Sequence, residues 1–211
     1  MENLKETDFF NYSNPAIQEF VQKANQNLST DLEKALNLYY LVRDDWKYNP
    51  YHITLEKEAW QASEMMKKRE GHCLDKAILL ITFARASGIP AKLHLAKVTN
   101  HIAVEKLIER LGTNILTPHG YAELFIDGKW VKATPAFNKE LCEKLGVAPL
   151  DFDGKTDSIF QQFDKKGAKF MQYLEDYGTF SDVPFAFLIN NMREHYPNLI
   201  DRIGDLKKVR L

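Results

Sequence analysis

The chain has 211 residues, of which 45% are hydrophobic and 27% charged, a composition typical of a soluble globular protein with one sizeable domain. The formal net charge of −1 argues against nucleic acid or an anionic membrane as the main partner. The sequence shows no secretory signal and no apolar run near the ~20 residues of a membrane span. Two cysteines, Cys73 and Cys142, do not make a disulfide framework, so we expect a cytoplasmic protein with reduced thiols.

The first third of the chain predicts helices. Residues 1–30 are polar and predict an irregular or loosely helical N-terminal extension. The stretch STDLEKALNLYYLVRDDW then begins with hydroxyl residues that can cap a helix, carries acidic side chains in its first turn and has one apolar stripe. The stretch TLEKEAWQASEMMKKREG predicts a second helix, closed by Gly71.

A third helix, buried on most sides, is predicted after Gly71. Residues 74–84 are apolar at spacings of three and four, and Gly88 and Pro90 stop the helix. Cys73 lies in the first turn of this helix. The next segment, AKLHLAKV, alternates apolar with polar residues and predicts a half-buried strand on which His94 points outward.

The segment HGYAELFIDGKWVKATP predicts a β-hairpin with a tight turn at residues 127–128. This register pairs Glu123 with Lys132 and Tyr121 with Thr134. Because side chains two apart share a face, His119 becomes the diagonal neighbour of Thr134, within side-chain reach.

The remaining segments complete an α+β pattern. Residues 99–118 predict a short helix followed by a connecting loop. Residues 139–211 predict a helical C-terminal extension packed on the core, with helical periodicity over 158–178 and 185–208. The order of elements is therefore helices, then antiparallel strands, then a helical extension.

Cys73 has the position of a nucleophile. The free N–H groups and the dipole at a helix start stabilise a thiolate, and the same groups can stabilise an oxyanion. A nucleophilic cysteine needs a base, and His119 is the best candidate because it opens the hairpin beside a long loop. A free cysteine is also commonly a small buried packing residue, and Cys142, in a short amphipathic helix, is assigned that role.

These segments resemble the transglutaminase-like domain, a relative of papain-type cysteine proteases. The family pattern has glycine-x-cysteine at a helix start, a helix ending in Arg-Ala-x-Gly-Ile-Pro-Ala, and a histidine heading a strand. A tryptophan past a turn and an Asp-Pro step follow. The corresponding segments are GHCLDKA (71–77), RASGIPAK (85–92), HGYAELFIDGKW (119–130) and VKATPAF (131–137). The resemblance covers residues 31–138 and implies a papain-like core, in which the nucleophile's helix packs on an antiparallel sheet.

Carried over to this chain, the resemblance implies that Cys73 is the nucleophile and His119 the general base and acid. The third position departs from the family pattern, because Thr134 stands where an aspartate is usual. A threonine hydroxyl can orient the imidazole but supplies no negative charge to it. Asn138 is an alternative orienter, in the manner of Cys-His-Asn sites.

An upstream aromatic side chain can add an oxyanion donor or line the groove in this family. Trp46, Tyr48 and Trp60 are the candidates, and core packing is the competing interpretation for each.

The resemblance implies a cysteine-dependent acyl-transfer enzyme that acts on amide or peptide bonds through a thioester. Hydrolysis is slightly favoured over transamidation, because the chain is small beside the large crosslinking enzymes. We expect a peptide or protein amide as substrate, no cofactor and no metal, and the sequence predicts no oligomeric state. The alternatives are a catalytically impaired binding module, suggested by Thr134, and a domain in which Cys73 only packs.

Overall fold

The computed structural model describes residues 2–51, 53–102 and 105–199. Short 3₁₀ turns occur at Glu2–Leu4 and Lys57–Trp60. The helices are α1 (Pro15–Ala24), α2 (Asp31–Asp45), α3 (Ala62–Lys68), α4 (Cys73–Ala86), α5 (Glu105–Leu111), α6 (Lys139–Leu145) and α7 (Phe185–His195). The strands are β1 (Lys47–Tyr48), β2 (Glu70–Gly71), β3 (Ala91–Asn100), β4 (Ile115–Ile126), β5 (Lys129–Ala133) and β6 (Met171–Phe180). No helix in these ranges is both long and apolar enough to cross a membrane.

A four-stranded antiparallel sheet in the order β5-β4-β3-β6 organises the molecule. Successive residues of a strand face opposite sides, and each side has its own apolar cluster. Ala122 and Leu124 belong to the cluster that contains most of α4, whereas Tyr121 packs in a second cluster with Phe137 and Phe170. Helices α1–α4 and α7 contribute to the first cluster, whereas α6 and the irregular segments on either side of it contribute to the second. Helices packed on an antiparallel sheet confirm the predicted α+β class.

Helix α4 begins at Cys73, as the sequence predicts. His72 is its N-cap: the Nδ1 atom of His72 accepts from the N–H of Asp75, and the N–H of His72 donates to the Asp75 carboxylate, a reciprocal capping box. One turn further on, the buried Lys76 donates to the carbonyls of Arg43, Trp46 and Ala136 at 2.7–2.8 Å. This lysine ties the end of α2 and the segment after β5 to the helix that carries the cysteine.

The second predicted helix is shorter than its pattern suggests. Gln61 is extended and separates the 3₁₀ turn from α3, and α3 ends at Arg69 in the left-handed conformation (φ 53°), not at Gly71. The physical reason is tertiary: residues 70–71 leave the helix to pair in parallel with Lys47 and Tyr48.

The N-terminal extension is more ordered than its polar composition suggests. Phe9 and Phe10 are buried, and α1 buries Ile17 and Val21 against the core. The boundaries of the three predicted segments, at residues 30/31 and 138/139, stay predictions.

The predicted helix over residues 158–178 is wrong along its whole length: residues 158–170 are irregular, with isolated β-bridges at Ser158 and between Phe163 and Lys169. Residues from Met171 onwards form β6, which pairs with the free edge of β3 from Leu93↔Phe180 to Asn100↔Met171. An unpaired edge strand exposes backbone donors and acceptors, and satisfying them outweighs a weak helical pattern. Helices α6 and α7 agree with the prediction, and residues 200–211 lie outside the described ranges.

His94 does not point outward, because β6 covers that side of β3. Its ring stacks on Tyr121 at 4.5 Å between centroids. Its Nδ1 lies 2.6 Å from the carboxylate of Glu123, and its Nε2 lies 2.8 Å from that of Asp176. Glu123 also pairs with Lys92 at 3.1 Å, not with Lys132, which stands opposite it in the register.

Candidate active site

Cys73 lies at the bottom of a small recess at the start of α4. It is 8% exposed, and the recess has a volume of about 40 Å³. Burial raises the pKa of the Cys73 thiol to about 11, and Asp75 adds to the rise. The backbone N–H groups of Gly120, Leu74 and Cys73 itself oppose it by favouring the thiolate. The helix start thus acts in the predicted direction, but desolvation is the larger effect.

Gly120 allows β4 to approach the start of α4 very closely. A Cβ atom at position 120 would lie 2.4 Å from Leu74 Cδ2 and 3.4 Å from Leu74 Cα. Any larger residue would therefore overlap the first turn of α4. The close approach brings the N–H of Gly120 to the Cys73 thiol. The residue before Gly120 is His119, whose side chain is not part of the recess lining.

His119 is 2% exposed and lies beside Tyr121, with 6.4 Å between the ring centroids. Within the described ranges, neither ring nitrogen has a hydrogen-bond partner, so no hydrogen bond joins the imidazole to Cys73 Sγ. Burial lowers the pKa of His119 to about 4. At neutral pH the resting site therefore holds a thiol and a neutral imidazole, not the thiolate expected from the helix start alone.

Thr134 does not orient the imidazole in this structure. The hairpin register is as predicted, with Glu123 opposite Lys132 and Ala122 opposite Ala133. The hydroxyl of Thr134, however, has no partner among the residues that the structure places. After Ala133 the chain turns toward Ser158, whose carbonyl accepts from the Thr134 N–H at 2.9 Å. The predicted pairs are thus confirmed as far as Ala133, but the next predicted pair, Tyr121 with Thr134, does not form because β5 ends at Ala133.

Asn138 is occupied elsewhere. Its Oδ1 accepts from the backbone N–H of Tyr48 at 3.0 Å, and its backbone caps α6. This bond fastens β1 to the segment after β5, so Asn138 supports a wall of the recess and has no contact with His119.

Of the three aromatic candidates, Tyr48 lines the recess. Burial raises the pKa of Tyr48 well above its ordinary value, and the nearby Cys73 adds to the rise. Trp46 is fully buried against Phe20 and Phe83, so it packs in the core, which was the competing interpretation. Trp60 is also buried, and its Nε1 donates to the carbonyl of Thr54 at 3.0 Å.

The other histidines have separate roles or positions. His72 caps α4 and His94 joins three strands, as described above. His101 is exposed, and His195 contacts the carbonyl of Asn191 at the end of α7. His52 lies outside the described residues.

The sequence missed one wall of the recess. Met192 of α7 and Tyr196 just beyond it line the recess with Cys73. The hydroxyl of Tyr196 accepts from the N–H of Thr117 at 2.6 Å and donates to the carbonyl of Ile115 at 2.9 Å. This pair of bonds fixes the segment of β4 that leads to His119. No local sequence signal marks Tyr196, because its role depends on where α7 packs.

Comparisons with known proteins agree with this architecture. The family model described as the transglutaminase-like superfamily matches residues 18–135, more than half of the chain. A solved structure described as a putative cysteine protease from Cytophaga hutchinsonii is similar over 88% of this chain and 48% of its own, with 16% identity and a TM-score of 0.55. This chain thus spans about half the length of that protein, and the likeness concerns the fold.

A putative protease from Parabacteroides distasonis is similar over 56% of this chain and 22% of its own, with 18% identity. Its TM-score of 0.39 is too low to establish a shared fold. A comparison with curated proteins found no match. The family match covers the start of α4, the strand with His119 and the hairpin, and on this basis the chain belongs to the transglutaminase-like superfamily.

Proposed function

We propose that this protein is a cysteine-dependent acyl-transfer enzyme that acts on amide or peptide bonds, with Cys73 as nucleophile and His119 as general base and acid. The observation that carries the proposal is the junction of α4 and β4. The Cys73 thiol opens into a recess at a helix start, beside the backbone N–H of the residue that follows His119. Superfamily membership supports a cysteine enzyme in general terms.

The proposed reaction starts from the neutral pair. His119 has both ring nitrogens free of protein partners in the described structure. In the proposed reaction its ring moves within hydrogen-bond reach of Sγ and accepts the proton as the thiolate attacks the carbonyl carbon. Backbone N–H groups at the start of α4 stabilise the resulting oxyanion. The tetrahedral intermediate collapses to a thioester, and the amine leaves with the proton from the imidazolium. A water molecule, deprotonated by His119, then releases the acid and the thiol.

Hydrolysis is the outcome that we propose for the thioester. A volume of about 40 Å³ exceeds the roughly 10–15 Å³ that one water requires, so the recess can admit the water that completes the reaction.

The test of the proposal is the dependence of Cys73 reactivity on His119. Faster labelling of Cys73 than of Cys142 is a weak criterion for a nucleophile, because the Cys142 thiol is 0% exposed and burial also raises its pKa to about 11. We therefore expect iodoacetamide to label Cys73 faster than Cys142, and His119→Ala to slow labelling of Cys73 at least tenfold at pH 7.5. Labelling of Cys73 that is as fast in the variant as in the wild type would reject His119 as its base.

The second candidate is a transglutaminase-like binding module that has lost turnover. The favouring observation is that Thr134, Asn138 and every other described side chain leave the imidazole without a hydrogen bond. The two functions separate in a panel of peptide and amide electrophiles. An enzyme labels at Cys73 and turns over the matching amides, whereas a binding module binds such peptides reversibly without cleaving them.

A further inference from the structure

An apolar cleft adjoins the recess and shares part of its wall. The two cavities have Tyr48, Pro50 and Leu116 in common. The cleft has a volume of about 540 Å³, within the roughly 300–1,000 Å³ range of small-molecule sites. The recess, at about 40 Å³, accommodates a reacting carbonyl but not the group attached to it.

The lining of the cleft is mainly apolar and partly open. Phe137 lines it, with its ring centroid 4.7 Å from that of Tyr48, together with Leu141 and Leu145 of α6. Ile102, between β3 and α5, is a further apolar lining residue. Tyr48, Ile102, Leu141 and Leu145 are only partly buried, although they pack on an apolar cluster. An apolar surface of this kind, kept open beside a nucleophile, marks a binding site.

Charge in the cleft does not favour an ionic ligand. Glu105 and Lys106 of α5 are exposed at its edge and have opposite signs. The other polar lining group apart from tyrosine is the neutral Asn100. A charged substrate side chain would lose hydration in the cleft without gaining a partner of opposite charge from its apolar lining.

We infer that this cleft binds a bulky aliphatic or aromatic side chain of the acyl donor, next to the carbonyl that Cys73 attacks. The inference rests on the proposed function, since it assigns the substrate class of the same site. Because Tyr48, Pro50 and Leu116 line both cavities, the two lie side by side, and a carbonyl in the recess would carry its apolar substituent past these residues to the cleft. Peptides with leucine- or phenylalanine-like side chains are therefore the expected acyl donors.

The experiment compares chloromethyl ketones of N-acetyl-phenylalanine, N-acetyl-leucine, N-acetyl-glycine and N-acetyl-aspartate. The readout is the second-order rate constant for labelling of Cys73 by each probe, divided by the rate constant measured with iodoacetamide. We expect the phenylalanine and leucine probes to react at least tenfold faster than the glycine and aspartate probes. Equal rates across the four probes would overturn the inference.

The variant Leu141→Glu places a carboxylate in the cleft without touching the recess. It should remove at least tenfold of the apolar preference when each probe's rate is divided by the iodoacetamide rate of the same variant. The matched control is Leu174→Glu on β6, where the leucine is 47% exposed and outside the cleft. An apolar preference that survives in Leu141→Glu would show that the cleft does not determine the selectivity and would overturn the inference. If Leu141→Glu does not fold, Ile102→Glu, at another lining position of the cleft, gives the same test.

Failure of this inference and failure of the proposed function give different results. Fast iodoacetamide labelling that depends on His119, without side-chain selectivity, rejects the cleft and keeps the enzyme. If labelling does not depend on His119, calorimetry of N-acetyl-phenylalanine amide tests whether the cleft still binds an apolar side chain. Loss of binding in Leu141→Glu supports the inference, and unchanged binding rejects it. Dimerisation that Leu141→Glu abolishes, with no binding of that amide by the monomer, would assign the cleft to a second copy of the chain instead.

Discussion

Replacing Gly120 by alanine tests whether the contact between β4 and α4 builds the site. The added Cβ would lie 2.4 Å from Leu74 Cδ2, whereas carbon atoms in contact normally stay about 3.5–4.0 Å apart. Leu74 is buried and lines the recess beside Cys73. Relieving the overlap requires Leu74 Cδ2 or β4 to move by about 1 Å, and either movement alters the wall of the recess.

The expected loss of stability follows from two opposing effects. Overpacking a core costs about 1–3 kcal/mol, and replacing glycine by alanine in an extended strand returns about 0.4–1 kcal/mol of chain entropy. Gly120→Ala should therefore lower the free energy of unfolding by about 1–2 kcal/mol, measured by urea denaturation. Because a 1 Å displacement of reacting groups can reduce rates about 100-fold, labelling of Cys73 should fall by at least tenfold.

A double variant supplies the control. Leu74→Ala alone leaves a cavity and should cost about 2–5 kcal/mol. In Leu74→Ala/Gly120→Ala the new methyl group occupies part of that cavity, so the combined loss should be at least ~1 kcal/mol smaller than the sum of the single losses. Additive losses, or a Gly120→Ala variant with wild-type stability and wild-type labelling, would refute the proposed packing.

Three further predictions concern buried polar groups. Thr134→Val should change the free energy of unfolding and the rate of Cys73 labelling little, because the Thr134 hydroxyl has no partner among the described residues. Thr134→Asp should raise the pKa of His119, measured by NMR titration, and speed the labelling of Cys73. Burial alone would raise the pKa of Glu123, but hydrogen bonds from His94 and a lysine keep it below its ordinary 4.5. A depressed carboxyl pKa contributes stability above pH 4.5 that is lost as the pH falls through the folded value, so Glu123→Gln should flatten the acid limb of stability against pH. Lys76→Met should lower the free energy of unfolding by about 2 kcal/mol or more, because three buried carbonyls lose their donor, and urea denaturation of a well-folded variant with no loss would contradict this.

Local patterns predicted the parts of the fold that local forces determine. The hydroxyl cap before α2, which the structure assigns to Thr30, the start of α4 at Cys73 and the hairpin register all depend on residues within a few positions of each other, and the structure confirms them. The pairing of β6 could not be predicted in this way. It depends on the free edge of β3, some 70 residues earlier, which no pattern within β6 encodes.

The candidate site shows the same division between local and tertiary effects. The sequence placed Cys73 at a helix start, which the structure confirms, and His119 at the head of a strand, whereas β4 begins earlier, at Ile115. The structure brings α4 and β4 together through Gly120. It did not predict the protonation states, because the depth of burial that sets both pKa values depends on packing from the whole chain. It also missed Tyr196, and it assigned Thr134 a contact that the path of the chain after β5 prevents.

Capture of an acyl-enzyme tests the central claim most directly. The protein is mixed with a small activated ester such as p-nitrophenyl acetate, quenched in acid within seconds, digested and analysed by mass spectrometry. We predict an acetyl group on Cys73 but not on Cys142. In the wild type this acetyl group is lost on dilution into neutral buffer, and in His119→Ala it forms at least tenfold more slowly. Absence of acetyl-Cys73 in the folded wild type, or its formation at the same rate without His119, would contradict the account.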